Sequence, residues 1–312
     1  MILVSVIIPT RNRSHYLKQA IDSILSISAQ EFDIEIIVAD DGSTDETAHI
    51  LKSYPVQYIQ TFGQGASKAR NKGIEIAHGD LITFLDDDDV WSSNNLIEQV
   101  RILNGNPDFG AVCSQMMLAD HNLALCAGPF PVEPLPSGWI FNELFGHIPV
   151  SATLLIRKSV LQAIGLFDTT LYGAEDWDLA LRIARNYQIA FLEEVAVICR
   201  QHRQLRYDST SLNQSRNEDI AQRRYLDVIK VAQRHLRNLS FAQKIKLQRK
   251  VLKWKGYFAT QFLEQAQIYL QSDERSKAVR CLKLAVIASP LHTVSFIVRN
   301  MKNKYHISHT IS

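Results

Sequence analysis

Four consecutive aspartates, Asp86, Asp87, Asp88 and Asp89, follow directly on the apolar run LITFL. Neighbouring carboxylates repel unless a counter-charge gathers them. On an extended backbone, residues two apart point the same way. Asp86 and Asp88 are then expected on one side, and Asp87 and Asp89 on the other. A pair of carboxylates on one side suits a hard divalent cation, Mg2+ or Mn2+, which takes few protein oxygens and completes its shell from substrate phosphates. The plain alternative is a solvated acidic turn leading into a helix near Ser92.

Three other stretches carry polar residues that could share a site. PTRN (Pro9 to Asn12) ends an apolar run, ADDGSTDET holds Asp40 and Asp41, and KARNKG holds Arg70 and Asn71. Arg70 suits a diphosphate or a solvated helix face. Asp41 suits a ligand N–H or helix capping, for which Ser43 and Thr44 compete. In YGAEDWDLALRI, Glu175 and Asp176 follow Gly173 at an expected helix start. Acids are favoured there by the helix dipole, and a carboxylate can also serve as a general base. Trp177 reads as a core aromatic, with a sugar-stacking platform as the alternative.

The elements around these stretches must bring them together. VSVIIP and IEIIVAD are continuous apolar runs, as expected of strands covered on both faces. Helical periodicity over Ser14–Ile27 separates them, with Leu17, Ala20, Ile21, Ile24 and Leu25 on one face. Another helix to about Tyr54, a strand at VQYIQ, a helix over Gly65–His78 and a strand at Asp80–Asp86 continue the alternation. This predicts an α/β fold with an open, mostly parallel sheet. Ligands of such sheets bind beyond the carboxyl ends of the strands. PTRN, ADDGS and DDDD all fall at such ends and so belong to one site. Later strands are expected at AVCSQMM, Val150–Ile156 and Ile189–Ile198, with the Pro-rich loop GPFPVEPLPSG crossing the site face.

No G-x-G-x-x-G follows the first strand and no G-x-x-x-x-G-K-[ST] occurs, so neither dinucleotide nor P-loop chemistry has its fingerprint. Taken in order, VSVIIPTRNR, ADDGSTDET, GASKARNKGIEIAHGDLITFLDDDD and YGAEDWDLALRI resemble the inverting glycosyltransferases of family 2, over roughly residues 4–202. The resemblance implies a GT-A fold and a nucleotide-diphosphate sugar donor, UDP-linked as the first choice. It also implies a hydroxyl acceptor on a saccharide or lipid carrier. It puts Pro9, Thr10, Asn12, Asp41, Arg70 and Asn71 around the donor. Asp86 and Asp87 would sit at the ribose or support the loop, and Asp88 would ligate the cation. It makes Asp176 the base, with Glu175 orienting it or binding acceptor. His202 is implied at the metal or diphosphate, in a basic segment with Arg200, Arg203 and Arg206 that could close as a lid. Two rival readings are a non-catalytic nucleotide-sugar-binding scaffold and a nucleotidyltransferase. The second would want a Gly-rich basic loop that PTRN lacks.

The chain of 312 residues is 46% hydrophobic with a formal net charge of +2, so it can bury a large core, and its charge points to no nucleic acid. Cys113, Cys126, Cys199 and Cys281 lack C-x-x-C spacing and read as buried thiols of a reducing compartment. The N-terminal run is short, ends at Pro9 and reads as a strand, not a leader. No stretch is long and apolar enough to span a membrane. The expected division is a catalytic domain over 1–215 and a basic helical region over 216–312. Ala221–Gly256 carries eleven Lys and Arg against the single acid Asp227. LEQAQIYLQSDERSKAVRCLKLAVIASP resembles one tetratricopeptide-type hairpin. A cytoplasmic protein is expected, with the basic tail offering a peripheral contact on the inner face of a membrane.

Overall fold

The structure, a computed structural model, describes residues 2–28, 30–92, 95–201, 217–237 and 239–297. The chain divides into two compact units, 1–209 and 210–312.

The first unit is built on nine described strands: β1 (Ile2–Thr10), β2 (Phe32–Asp40), β3 (Gln57–Gln60), β4 (Leu81–Phe84), β5 (Val90–Trp91), β6 (Phe109–Ala119), β7 (Leu125–Phe130), β8 (Leu154–Arg157) and β9 (Gln188–Arg200). They form one sheet in the order β3-β2-β1-β4-β8-β6-β9-β5, with β7 pairing on β6. The first four are parallel, as the alternating sequence implies. Beyond β4 the sheet is mixed. β8 runs antiparallel between β4 and β6, and β9 returns parallel to β6. As a result β1, β2, β3, β4, β6 and β9 all point their carboxyl ends at one edge.

β1 is buried from Val4 onward, with Val6, Ile7 and Ile8 fully inaccessible, which is the outcome of a run apolar on both faces. Helix α1 (Ser14–Leu25) buries Leu17, Ala20, Ile21 and Ile24 on the sheet. Helix α3 (Ala66–Ile76) approaches β1 so closely that a Cβ on Gly73 would lie 2.5 Å from Ile7 Cγ2. Gly73→Ala should therefore destabilise by about 1–3 kcal/mol through overpacking. Gly105→Ala, whose Cβ would meet open space, should change stability little. Urea unfolding of the two variants compares them directly.

Several elements differ from the expectations above. The second helix is only α2 (Thr47–Ile50), followed by a single 3-10 turn over Leu51–Ser53. Ser43 and Thr44 do not cap it: their polar atoms meet Asn12, and Asp45 accepts from Thr47 instead. The stretch 150–156 is not one strand. Ser151–Thr153 is a 3-10 turn, in which Thr153 Oγ1 donates to the Val150 carbonyl and competes with ladder pairing. The start of the Pro-rich loop is the edge strand β7. Its side chains are mostly exposed, which corrects the reading of Cys126 as buried. Cys199 is half-buried, and Cys113 and Cys281 are buried. Short helices α5 (Phe141–Leu144) and α6 (Lys158–Ile164) precede α7 (Glu175–Asn186). Helix α4 (Asn95–Gly105) follows β5.

The second unit is helical: α8 (Asn217–Leu236), α9 (Phe241–Gln271) and α10 (Arg275–Ala288). Ser240 and Gln243 close a reciprocal capping box at the start of α9. Helices α9 and α10 form the hairpin seen in the sequence, turning through Asp273 at φ 57°. Small residues such as Ala259, Ala266, Ala278 and Ala285 are buried in the unit's core.

Candidate active site

The four aspartates do not lie on an extended backbone. Asp86 to Asp89 form a turn closed by Asp89 N–H donating to the Asp86 carbonyl at 3.1 Å. The expected two-sided alternation is therefore replaced. Asp87 and Asp88 meet at one cation, Arg13, whose Nη1 is 2.9 Å from Asp87 Oδ1 and 2.7 Å from Asp88 Oδ2. The repulsion within the row is relieved from inside the chain.

Each acid has a different environment. Asp87 is buried, accepts from Thr10 Oγ1 at 2.7 Å, and is pushed up to about 7 by burial, against the pull of Arg13. Asp89 is held well above the usual carboxylate range by burial and the charges of Asp88 and Asp86. It accepts the Arg200 backbone N–H at 2.8 Å and so anchors the turn to β9. Of the three acids in this row that pair with an arginine, Asp86 is the most open, at 42% side-chain exposure against 15% for Asp88 and 6% for Asp87. Arg200, expected in a lid, is instead a buried tie. Its Nε donates to the Asp88 carbonyl, Nη1 to the His121 carbonyl and Nη2 to Gln19 Oε1, and its guanidinium lies over Tyr16. His202, Arg203 and Arg206 lie outside the described residues.

The loops after β1 and β2 are laced to each other. Asn12 N–H donates to Ser43 Oγ at 2.8 Å, Thr44 N–H donates to Asn12 Oδ1 at 2.7 Å, and Ser14 N–H donates to Asp45 at 3.0 Å. Asn12 adopts φ 54°, a conformation Asn tolerates. Pro9 is buried within β1, which continues one residue beyond it. Asp41 accepts from Thr61 Oγ1, Gln64 N–H and Gly65 N–H at 2.7–2.8 Å. Three of a carboxylate's roughly four acceptor positions are thus spent on fastening residues 61–65 to the sheet edge. Asp40 likewise takes Ser43 N–H and the Tyr58 hydroxyl.

Arg70 joins the acidic turn to the start of α7. It is 4% exposed, with Nη2 2.6 Å from Asp86 Oδ1 and Nη1 3.8 Å from Glu175 and 4.0 Å from Asp176. Burial alone would lower its pKa, but Asp86, Asp176 and Glu175 outweigh it and keep it charged. Asn71, beside it, exchanges two 3.0 Å hydrogen bonds with the backbone of Phe167. Both ends of its amide are thus occupied in holding the segment that leads to α7.

Asp176 Oδ2 accepts Ser151 N–H at 3.0 Å, while Oδ1 is buried without a hydrogen-bond partner. Arg70 Nε and Nη1 are orphaned in the same way. Buried polar atoms are rarely left so; here Asp176 Oδ1 and Arg70 Nη1 face each other at 4.0 Å, beyond hydrogen-bond reach. Burial, together with Glu175 and Asp86, raises Asp176 to about 7, against the pull of Arg70. Glu175 turns back to accept Gly173 N–H at 2.5 Å. Trp177 is fully buried, donates to the Leu144 carbonyl and packs on Phe145, so it is a core residue.

Sequence reasoning missed three supports of the site: Arg13, Ser151 and the Asp178–Arg182 pair. Arg182 salt-bridges buried Asp178 at 2.8 Å and caps the carbonyls of Ile164, Gly165 and Leu166. Its i,i+4 spacing on a helix was a readable signal. For Arg13, the signal was a second basic residue in TRNR facing an acidic row.

Asp88 and Asp86 offer the carboxylate oxygens a hard cation takes, Asp86 on the more open part of the turn, and a cation there would compete with Arg13 and Arg70 for them. Among the described residues, no three or more His, Cys, Asp or Glu converge to make a complete cage.

Comparison with known proteins gives the family and the fold. The model of glycosyl transferase family 2 matches residues 5–124. An uncharacterised glycosyltransferase of Rickettsia prowazekii is 36% identical over 220 residues, 68% of each chain, and one of Rickettsia typhi is 32% identical over 218 residues, again 68% of each. Among solved structures, Staphylococcus aureus TarS 1–349 in complex with UDP-GlcNAc superposes with TM-score 0.60 at 20% identity, covering 94% of this chain and 83% of that one. The mannosyltransferase PcManGT of Pyrobaculum calidifontis, with GDP-Man and Mn2+, gives 0.59 at 19% identity, covering 96% and 79%. The sheet with its flanking helices is thus a GT-A fold, and the chain belongs to glycosyltransferase family 2 and is a glycosyltransferase.

Proposed function

We propose that this enzyme transfers a sugar from a nucleotide-diphosphate donor to a hydroxyl of a saccharide or lipid-linked acceptor, in one inverting displacement. Asp176 is the base. The observation that carries the reading is its buried Oδ1, which accepts no hydrogen bond and faces Arg70 Nη1 at 4.0 Å, on a carboxyl raised to about 7. A base poised near neutrality is what proton removal from a hydroxyl needs.

In this mechanism the acceptor oxygen attacks the anomeric carbon as the carbon–oxygen bond to the diphosphate breaks. The bonding pair leaves with the diphosphate, and the hydroxyl proton goes to Asp176 Oδ1. Asp176 is held for this by Ser151 N–H, and Glu175 orients the start of α7 through Gly173. Arg70 keeps positive charge between the donor and the base. Thr10 and Arg13 fix the acidic turn, while the fastened loop 61–65 borders the nucleotide with Pro9, Asn12 and Asp41. A divalent cation at Asp88, Mn2+ or Mg2+, would supply Lewis-acid neutralisation of charge on the leaving diphosphate. UDP-GlcNAc in TarS, and GDP-Man with Mn2+ in PcManGT, support a donor of this chemical class. Inversion rests on the resemblance of the motifs.

A thermal-shift screen of UDP- and GDP-sugars with Mn2+ or EDTA tests the donor reading. At a hundredfold excess over Kd, binding should stabilise by about 2.7 kcal/mol, a rise of roughly 5–10 °C for a unit of this size. No rise with any nucleotide sugar and Mn2+ would remove it. A lipid-linked acceptor would bring the enzyme to a membrane face, and with it we assign a cytoplasmic position beside the inner leaflet. Among the described residues, no helix is long and apolar enough to cross a membrane.

A further inference from the structure

The first half of α9 leaves an apolar line uncovered. Phe241 is 80% exposed, Ile245 45% and Leu252 63%. At about 100° per residue these three fall on one narrow stripe. Lys244 and Lys255 flank it on one side, and Arg249 and Lys253 on the other. Leu247, fully buried, is on the far side of the helix. From Phe241 to Tyr257 the sequence holds six basic residues and no acid. A helix with apolar side chains outward and ammonium groups along both margins has the pattern of an interfacial helix: the apolar groups enter the acyl boundary and the lysine stems extend to the headgroups.

We propose that α9 docks the enzyme on an anionic lipid surface through Phe241, Ile245 and Leu252, with the flanking lysines and arginines on the headgroups. Charge decides the occupant. A second copy packed on the stripe would set these basic rows against each other, because a two-fold interface pairs like with like. An anionic leaflet attracts them, each basic residue adding to the binding. The inference rests on α9 alone, so donor binding and transfer in solution can hold or fail without it.

The test is sedimentation of the full chain with phosphatidylglycerol–phosphatidylcholine vesicles, beside pure phosphatidylcholine vesicles. Binding to the anionic vesicles is expected, at least about tenfold weaker on the neutral ones and weakened by salt. Phe241→Ser with Leu252→Ser should lower the partition coefficient on the order of 100-fold. Circular dichroism and the melting point, which should stay unchanged, check that this exposed-site variant folds. Absence of binding to anionic vesicles would overturn the proposal, as would binding that the double variant retains. Light scattering provides the other arm. A dimer that the double variant dissociates, without vesicle binding, would give the stripe to a second copy and overturn the lipid assignment.

Discussion

Asp176→Asn is expected to lose about 10²–10⁴-fold in transfer rate, the usual contribution of a positioned general base. The substitution is nearly isosteric, and an amide oxygen can still accept Ser151 N–H, so α7 keeps its start. What disappears is an oxygen able to take a proton. Donor- and Mn2+-dependent thermal stabilisation should therefore survive while turnover falls. The pH profile gives the sign. Asp176 is raised to about 7, so its ionised, active form dominates above that pH. The wild-type kcat/KM should accordingly fall about tenfold per unit as pH drops below about 7. Asp87 lies in the same range, so it is the loss of this acid limb in the residual rate of Asp176→Asn that assigns the limb to Asp176. A variant with near-wild-type transfer would end the assignment.

Asp88→Ala should lose about 10²–10³-fold in turnover, several kcal/mol of charge stabilisation at the leaving diphosphate. Folding should be retained for a local reason. Arg200 grips the Asp88 carbonyl, not its carboxylate, and Asp87 still holds Thr10 and Arg13. The sharper readout is binding: the increment of donor stabilisation that Mn2+ adds to wild type should vanish, and EDTA should reproduce the effect on the wild-type enzyme. If Asp88→Ala keeps its Mn2+ increment, the cation is held elsewhere.

Strand–helix alternation up to Phe84 was legible because β1, β2 and β4 are largely apolar runs and α1 and α3 have helical spacing, whereas β3 is short and exposed at both ends. That pattern also implied the shared edge at which Thr10, Asp41 and the acidic turn meet. The second half was harder to read. β8 has four residues, and the polar turn before it is held both locally, by Thr153 Oγ1 on the Val150 carbonyl, and by Ser151 N–H on Asp176, some 25 residues away in sequence. β7 is exposed and carries no apolar alternation. Within the site, residue types were readable but partners were not. The acids of FLDDDDVW announced a need for positive charge. That Arg13 meets two of them, and that Asn12, Asn71 and Asp41 spend their polar atoms on other loops, depends on distances set by the sheet. Arg200 looked like a lid residue because its neighbours in sequence are basic, whereas its neighbours in space are carbonyls and an aromatic ring.

That arginine also imposes an order in time. Its guanidinium reaches Gln19, 181 positions earlier, and the Asp88 backbone, 112 positions earlier. Chains are made from the amino terminus, and domains fold as units as they emerge. The acidic turn is synthesised early, but two of its ties, to the backbone N–H and side chain of Arg200, do not exist until translation has passed residue 200. A nascent chain halted before that point carries every residue of the turn without the clasp that sets it. The growing polypeptide is thereby kept from setting this turn until almost the whole first unit has been made.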